Sequence, residues 1–306
     1  MKGSKTAVSV VEKCKTILTS NWQGNLNTIM ADAQGSKGEI YTSKVNYFIK
    51  KGKPYLWVPE EDLHNVNTII DERGSFAVAT PFPGPLLNIL RSMKKLPPRV
   101  ALMGDIVPLK DEKVQLATEC LRETITSEQK AFKESSYSVS GVLSTANLES
   151  TSRSQNLQDL LDSNKSYTVY KLDLSSCTYI DSNGSTHEVD LETIRKTKAD
   201  ALSPFSMSLI DGINQSEARR RALIFFCITY LNKNVKDALM LSADRKGFDV
   251  LGKTLGPVMN DGSRQYLWEE LRFELNEEAK DIESFCQQLV SMEVEALKTV
   301  SKFSGI

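Results

Sequence analysis

The feature that most constrains this chain is a change in the spacing of its apolar residues near residue 22. Residues 6–19 repeat apolar side chains at helical spacing. Five short runs rich in Ile, Val, Tyr and Trp come next, separated by turn-forming residues: 22–31, 39–48, 54–58, 75–80 and 99–109. Runs of this composition predict β-strands, so the N-terminal half is expected to form an antiparallel sheet or barrel.

Helices are predicted between and after these strands. Residues 60–71 suit a short helix with Glu60, Glu61 and Asp62 in its first turn, where the helix dipole favours acidic side chains. Residues 111–124 have the spacing of an amphipathic helix. The N-terminal half is therefore expected to be mixed rather than purely β.

Two longer segments lack a regular pattern. Residues 81–98 hold five of the ten prolines, and we interpret them as a structured flap. Residues 134–166 are rich in Ser, Asn and Thr, which predicts a flexible insertion with one short helix near Leu157–Leu161. Both are expected to be insertions in the N-terminal domain.

The remaining residues predict one more hairpin and then a second domain. A strand over residues 167–181 and the segment THEVDL flank an Asn-Gly pair, which is typical of a type I′ turn. Helices are predicted after it over 190–200, 204–213 and 215–232, strands over 237–243, 248–255 and 264–274, and a last helix over 276–300 with Asn276 as its N-cap. The predicted fold class is α+β, with a domain over residues 1–200 and a small α/β domain over residues 201–306.

Composition and missing motifs exclude several classes of protein. A net charge of −1 argues against bulk binding to nucleic acid, and no apolar run approaches the roughly 18 residues of a membrane span. The five cysteines are at least 50 residues apart and there are two histidines, which excludes the usual zinc sites and disulfide scaffolds. GxGxxG, P-loop, GxSxG and HExxH motifs do not occur. No metal site is predicted, and no catalytic residue can be named.

Four short motifs are more specific as an ordered set. They read SKVNY, LHNVNTI, DERGSFAV and RVALMG, between residues 43 and 104. This order resembles the pyridoxamine-phosphate-oxidase-like split barrels, an FMN-binding family. The segment KDALMLSADRKGFDVLG resembles the α/β domain fused behind that barrel in the split-barrel heme oxygenases and their plastid homologues. The resemblance covers residues 6–80, 99–124 and 167–300.

The chain also departs from these families at three places. The turn after the last barrel strand reads DSNG where the family has GGFG. SLIDGINQSE stands where the family has a histidine-rich helix motif, so the obvious axial ligands for heme iron are missing. Val66 occupies the position at which a cation often contacts the flavin phosphate. FMN binding is therefore expected to be weak or absent.

The resemblance implies a homodimer that binds heme and degrades it oxidatively in plastid tetrapyrrole metabolism. Lys50, Lys51 and the site cations are expected to hold the heme propionates, although each lysine could instead be a solvated edge residue. The cofactor-binding residues implied by the motifs are Ser43, Lys44, Asn46, His64, Asn67 and Arg99. Packing or a surface hydrogen bond is the alternative for His64.

Two other functions stay open. One is an FMN-dependent oxidoreductase, and the other is a non-catalytic adaptor of a tetrapyrrole-biosynthesis enzyme. The chloroplast stroma is the expected compartment, with a transit peptide that the sequence does not include, and the cytoplasm is the alternative.

Overall fold

The computed structural model describes residues 8–32, 35–134, 139, 142, 153–259 and 262–304. From the N-terminus, the described residues form α1 (Val10–Ser20), β1 (Gln23–Asp32), β2 (Gly35–Lys50), β3 (Lys53–Pro59), α2 (His64–Ile70), β4 (Arg73–Ala79), α3 (Gly84–Ser92), β5 (Arg99–Pro108), α4 (Glu112–Glu134), α5 (Arg153–Asp162) and β6 (Tyr167–Ile180).

The C-terminal elements continue from a short edge strand. They are β7 (Thr186–Glu188), α6 (Leu191–Lys196), a 3₁₀ turn (Ser203–Phe205), α7 (Ser206–Gln215), α8 (Glu217–Leu231), β8 (Val235–Asp244), β9 (Gly247–Val258), β10 (Arg264–Glu274) and α9 (Ile282–Ser304). Among the described residues, none of these helices has both the length and the apolar character that crossing a membrane requires.

Strands β1 to β6 close into an antiparallel barrel. The order is β3-β2-β1-β4-β5-β6, and β3 also pairs with β6, with Trp57 opposite Val169. Alternate side chains point into the barrel, where Leu26, Tyr47, Phe76 and other apolar residues form one buried cluster. The prediction of a barrel in an α+β protein is therefore confirmed.

The last three strands form a separate sheet in the order β10-β9-β8. Its core contains the rings of Phe226, Phe248 and Phe273, of which Phe248 and Phe273 stack with centroids 5.2 Å apart. Leu86 and Leu90 of α3 belong to the same buried cluster. The segment predicted as a flap thus contains a helix that packs on the core of the second sheet. The domain boundary near residue 200 stays a prediction.

A third cluster lies on the outside of the barrel. Phe48 of β2 and Trp57 of β3 pack against α4 and α5, with Leu121 and Leu157 fully buried between them. Because α5 falls within the predicted insertion 134–166, part of that segment is ordered, including the short helix expected near Leu157–Leu161. The rest of the insertion lies largely outside the described residues.

Several predicted boundaries are wrong. Helix α2 begins at His64, so the three acidic residues at 60–62 precede it instead of lining its first turn. Helix α4 continues to Glu134, ten residues beyond its predicted end. Helix α9 begins at Ile282, and Asp281 accepts a hydrogen bond from the Ser284 N–H there at 2.8 Å.

The turn between β6 and β7 also differs from the prediction. A type I′ turn needs positive φ at both central residues, but in this turn only Gly184 has it, at 88°. Asp181 holds the turn instead, because its Oδ1 accepts the N–H groups of Asn183 and Ser185, both at 2.9 Å. An Asx-type side-chain bond has replaced the expected backbone geometry.

Glu12 connects α1 to the second sheet. It completes a capping box with Ser9, and its Oε1 lies 2.6 Å from a guanidinium nitrogen of Arg245. Burial raises the pKa of Glu12, but the hydrogen bonds from Ser9 and Arg245 outweigh it and hold that pKa at about 2.

We expect Glu12→Gln to lower the free energy of unfolding by about 1 kcal/mol at pH 7, the scale of a partly exposed ion pair. The carboxylate stabilises the fold fully above the unfolded pKa of 4.5 and loses this effect as the pH falls towards 2. Urea titrations at several pH values should therefore show the difference shrinking below pH 4.5. The matched control is Glu119→Gln, which removes the exposed Arg122 pair. A difference independent of pH would contradict the assignment.

Candidate functional site

The six residues predicted to bind a cofactor fall into two groups on opposite sides of the barrel wall. Ser43 has the same parity on β2 as the inward-facing Val45 and Tyr47, and it joins His64 and Asn67 at one end of the barrel. The second group contains Lys44, Asn46 and Arg99, whose strand positions alternate with buried ones. The structure therefore separates what the motifs suggested to be one site.

The group at the barrel end is a buried polar network under α2. His64 is fully buried, and its Nδ1 lies 2.8 Å from the Thr28 hydroxyl of β1. Asn67 donates to the same hydroxyl oxygen at 2.9 Å and accepts the Ala31 N–H at 3.0 Å. Since the Thr28 oxygen already accepts from Asn67, its proton is free to be donated to Nδ1 of His64.

When the Thr28 hydroxyl donates in this way, the imidazole proton lies on Nε2. That atom has no hydrogen-bond partner among the described residues, and the nearest carboxylate oxygen, Asp62 Oδ1, is 4.0 Å away. Asp62 instead accepts the His64 backbone N–H at 2.9 Å and the Ser43 hydroxyl at 3.1 Å. The Tyr41 ring covers the imidazole with centroids 4.7 Å apart. The network fixes α2 on β1 and leaves one buried donor unpaired.

Burial lowers the pKa of His64, and the nearby Asp62 opposes this only in part. We therefore expect the imidazole to titrate below its usual pKa of 6.5, which NMR chemical shifts of its ring carbons would show. Because the unfolded chain takes up this proton first, acidification below pH 6.5 should destabilise the fold. A titration midpoint at or above 6.5 for His64 would contradict this.

The second group lies on the outer face of the barrel. Strand register places Lys44, Asn25, Ala77, Ala101 and Thr178 in one row across five strands. These outward positions between the cations are small or polar, so no large side chain stands on the barrel wall there. We call this surface the outer face.

A second row on the outer face is held by hydrogen bonds between side chains. Asn27 donates to the Ser75 hydroxyl at 3.0 Å and accepts from the Thr42 hydroxyl at 2.8 Å. Met103 stands opposite Ser75 in this row, and 54% of its surface is exposed. The row offers a polar strip with one thioether on the barrel wall.

Two cations stand on the outer face without ion-pair partners among the described residues. Lys44 is exposed and Arg99 half-buried. Arg99 is opposite Ala79 on β4. It lies two residues along β5 from Ala101, which belongs to the row of Lys44. The Cα atoms of Lys44 and Arg99 are three strand spacings apart, about 14 Å measured across the strands, and two residues apart, about 7 Å measured along the strands. The two cations are therefore separate candidates for holding anionic groups.

The other two lysines considered from the sequence lie elsewhere. Lys50 donates to the Leu116 carbonyl at 3.2 Å, and Lys51 lies in the β2–β3 turn with φ of 49°. Lys50 is six residues from Lys44, about 20 Å along the strand. Neither belongs to the outer face around Lys44.

Met103 was not among the residues predicted from the sequence. The sequence pattern that could have identified it is the alternation in RVALM. Val100 and Leu102 are fully buried, and Arg99, Ala101 and Met103 face outward. A thioether is one of the side chains that ligate heme iron in proteins. The outer face thus carries a soft ligand on the same strand as Arg99, four residues along from it.

The chemistry of the outer face fits a planar anionic ligand better than a flavin phosphate. A row of small side chains leaves room for a ring, and lysine and arginine pair with carboxylates. A phosphate lacks an obvious cation at α2, where Val66 is 55% exposed. Groups of three or more metal-ligating side chains are absent from the described part of the chain.

Comparison with known proteins gives structural matches only. No protein-family model and no curated protein matches the chain. It is similar to the solved structure of a heme binding protein from Mycobacterium smegmatis, with 18% identity and a TM-score of 0.53 over 95% of this chain and 99% of that one. Campylobacter jejuni ChuZ matches at 14% identity and a TM-score of 0.37, over 61% of this chain and 62% of that one.

The first of these matches extends over both sheets, because it covers nearly the whole of both chains. A protein of unknown function from Agrobacterium tumefaciens also covers 95% of this chain, at 17% identity and a TM-score of 0.39. At such identities the likeness establishes the fold alone.

Proposed function

We propose that this chain, a split β-barrel protein by fold, binds heme on the outer face of its barrel as a homodimer. The observation that carries the proposal is the row of small and polar side chains between Lys44 and Arg99, two cations without ion-pair partners among the described residues, with Met103 in the neighbouring row. The barrel end gives less support for a ligand site, because His64 is fully buried and already bonded to Thr28.

In this proposal the chain binds and orients the ligand. Lys44 and Arg99 would hold the propionates by charge-assisted hydrogen bonds, and Met103 offers a sulfur near the ring. The side-chain amides of Asn25 and Asn46 would add polar contacts at the edge of the ligand. When bound, heme itself would supply the redox chemistry with oxygen.

A second copy of the chain is needed to complete such a site. The outer face is open to solvent, whereas ligand sites bury most of their ligand. A partner barrel placed over the outer face would exclude water and cover the exposed Met103. Pairing of two copies is therefore expected to strengthen heme binding.

The wider role is proposed on the sequence resemblance alone. We propose that the protein degrades heme oxidatively in plastid tetrapyrrole metabolism and resides in the chloroplast stroma. A fluorescent fusion of the full-length protein tests the compartment. Bilin-type pigments released from bound heme, in the presence of a reductant and oxygen, test the activity.

A hemin titration followed at the Soret band tests the binding proposal. We expect saturable binding of about one hemin per chain and a dimer in sedimentation experiments at micromolar concentration. Titration with FMN is the comparison, and we expect binding to be at least tenfold weaker because Val66 provides no cation for the phosphate. Absence of saturable hemin binding would overturn the proposal and favour the adaptor, while tight FMN binding would favour the oxidoreductase.

A further inference from the structure

The short helix α2 buries its polar residues and exposes its apolar ones. His64, Asn67 and Thr68 face the barrel. The opposite side, which we call the α2 patch, consists of Leu63, Val66, Ile69 and Ile70, which are 49%, 55%, 81% and 51% exposed. A helix on the surface of a soluble protein has the reverse arrangement. A contiguous apolar patch of this kind marks a surface that another molecule covers.

The α2 patch is surrounded by acidic residues. Residues 60–72 contain five carboxylates and no lysine or arginine. Glu60, Glu61 and Glu72 are exposed, while Asp71 is paired with Arg73 at 2.6 Å. A partner surface for the α2 patch should therefore be apolar at its centre and positive around it.

A second unpartnered surface is formed by the end of the β9–β10 hairpin. Strand β8 pairs with β9 only as far as Thr254, which is opposite Val235. The β9–β10 ladder continues beyond it to Val258, opposite Arg264. This end of the hairpin is therefore a two-stranded ribbon without a third strand, and an isolated ribbon is marginally stable in water.

We call this end of the hairpin the arm, and its exposed apolar residues are Leu255, Val258, Met259, Tyr266 and Leu267. Three cations surround them. Lys236 lies 4.9 Å from the centroid of the Tyr266 ring, Lys253 lies 5.6 Å from that of Trp268, and Arg264 is exposed. Within the described residues, none of the three has an ion-pair partner.

We propose that the arm of one copy docks on the α2 patch of a second copy of this chain. Both surfaces are apolar at the centre, and the charges around them are opposite. Because each is exposed in the single chain, the contact must form between chains. One chain carries both complementary surfaces, so a twofold pair forms two such contacts at once. Residues of the proposed heme site take no part, so failure of hemin binding would leave this proposal intact.

Charge reversal tests the pairing. We expect Lys253→Glu/Arg264→Glu and Glu60→Lys/Glu61→Lys each to raise the dimer dissociation constant at least tenfold in sedimentation velocity. An equimolar mixture of the two variants should recover the wild-type dissociation constant within about threefold, since opposite charges again meet at both contacts. The control is Glu119→Lys/Glu123→Lys, which makes the same charge change on the exposed side of α4. Circular dichroism shows whether each variant is folded.

Three results would overturn the proposal: a wild-type monomer at 100 µM, variants that dimerise like the wild type, or a mixture no tighter than its components. Cross-linking gives a second measurement. Val66→Cys and Tyr266→Cys proteins, mixed and oxidised with diamide, should form a disulfide-linked heterodimer, because Tyr266 lies on the face of the arm that carries Lys236. A mixture of Leu116→Cys and Tyr266→Cys should not, because Leu116 lies on α4 and is 62% exposed there. Equal cross-linking in both mixtures would contradict the docking.

Discussion

Replacing Lys44 or Arg99 by alanine is expected to weaken hemin binding ten- to a hundredfold. Each cation would lose a charge-assisted hydrogen bond to a propionate, worth roughly 1.5–3 kcal/mol. The double variant should be weaker than either single one. Because the two residues stand free of ion pairs with described residues, their loss should leave the stability of the fold nearly unchanged. Soret titrations and urea denaturation of the same samples separate binding from folding.

Two further variants locate the site. Lys130→Ala, on the exposed side of α4, is the charge-matched control and should bind hemin normally. His64→Ala is expected to change the affinity only modestly, because its ring lies under α2 and contacts Thr28. If His64→Ala abolished the Soret shift while both cation variants bound normally, the ligand would lie at the barrel end. If none of the variants of Lys44, Arg99 and His64 changed hemin binding, heme would bind elsewhere on the chain.

The largest expected effect on stability comes from Arg153. Its guanidinium pairs with Glu128 of α4 and donates to the Asn21 carbonyl at 3.0 Å, and the two charged side chains are 5% and 11% exposed. Burial raises the pKa of Glu128 and Arg153 opposes this. Arg153→Met would leave a buried carboxylate without its cation, which we expect to cost about 3–5 kcal/mol in the free energy of unfolding.

Urea denaturation measures this loss, and a second substitution tests its cause. Adding Glu128→Gln to Arg153→Met should recover part of the stability, because the uncompensated charge is then absent. The matched control is Arg122→Met, whose partner Glu119 is 3.7 Å away and exposed, and its cost should stay below about 1 kcal/mol. Equal losses at Arg153 and Arg122 would show that burial of the pair does not matter.

The strands could be predicted from the sequence because their signal is local. Apolar runs of five to ten residues separated by Gly, Asn and Pro are enough to place β1 and β3 to within one or two residues. The ends of helices are harder to predict from the sequence, because they depend on which capping residue the surrounding structure favours. Asn276 and Asp281 are both suitable N-caps by type, and only packing decides that α9 begins after Asp281.

The site was only partly predictable for a different reason. The motif SKVNY places Ser43 and Lys44 next to each other, and neighbouring strand residues face opposite sides of the barrel wall. Which side is the interior depends on how all six strands close. The burial of His64 likewise requires α2 to lie across the barrel end with its polar side inward, an arrangement that apolar periodicity argues against.

The ladder between β3 and β6 also bears on how the chain is made. This ladder pairs Tyr55 with Lys171, so the barrel cannot close until residue 171 has left the ribosome. At bacterial to eukaryotic elongation rates, the roughly 110 residues between the two strands take on the order of 5 to 20 seconds to synthesise. During that interval the β3 edge, including Trp57, has no partner strand. A nascent chain of this protein therefore spends seconds as an open sheet, and factors that bind nascent chains would act on it in that interval.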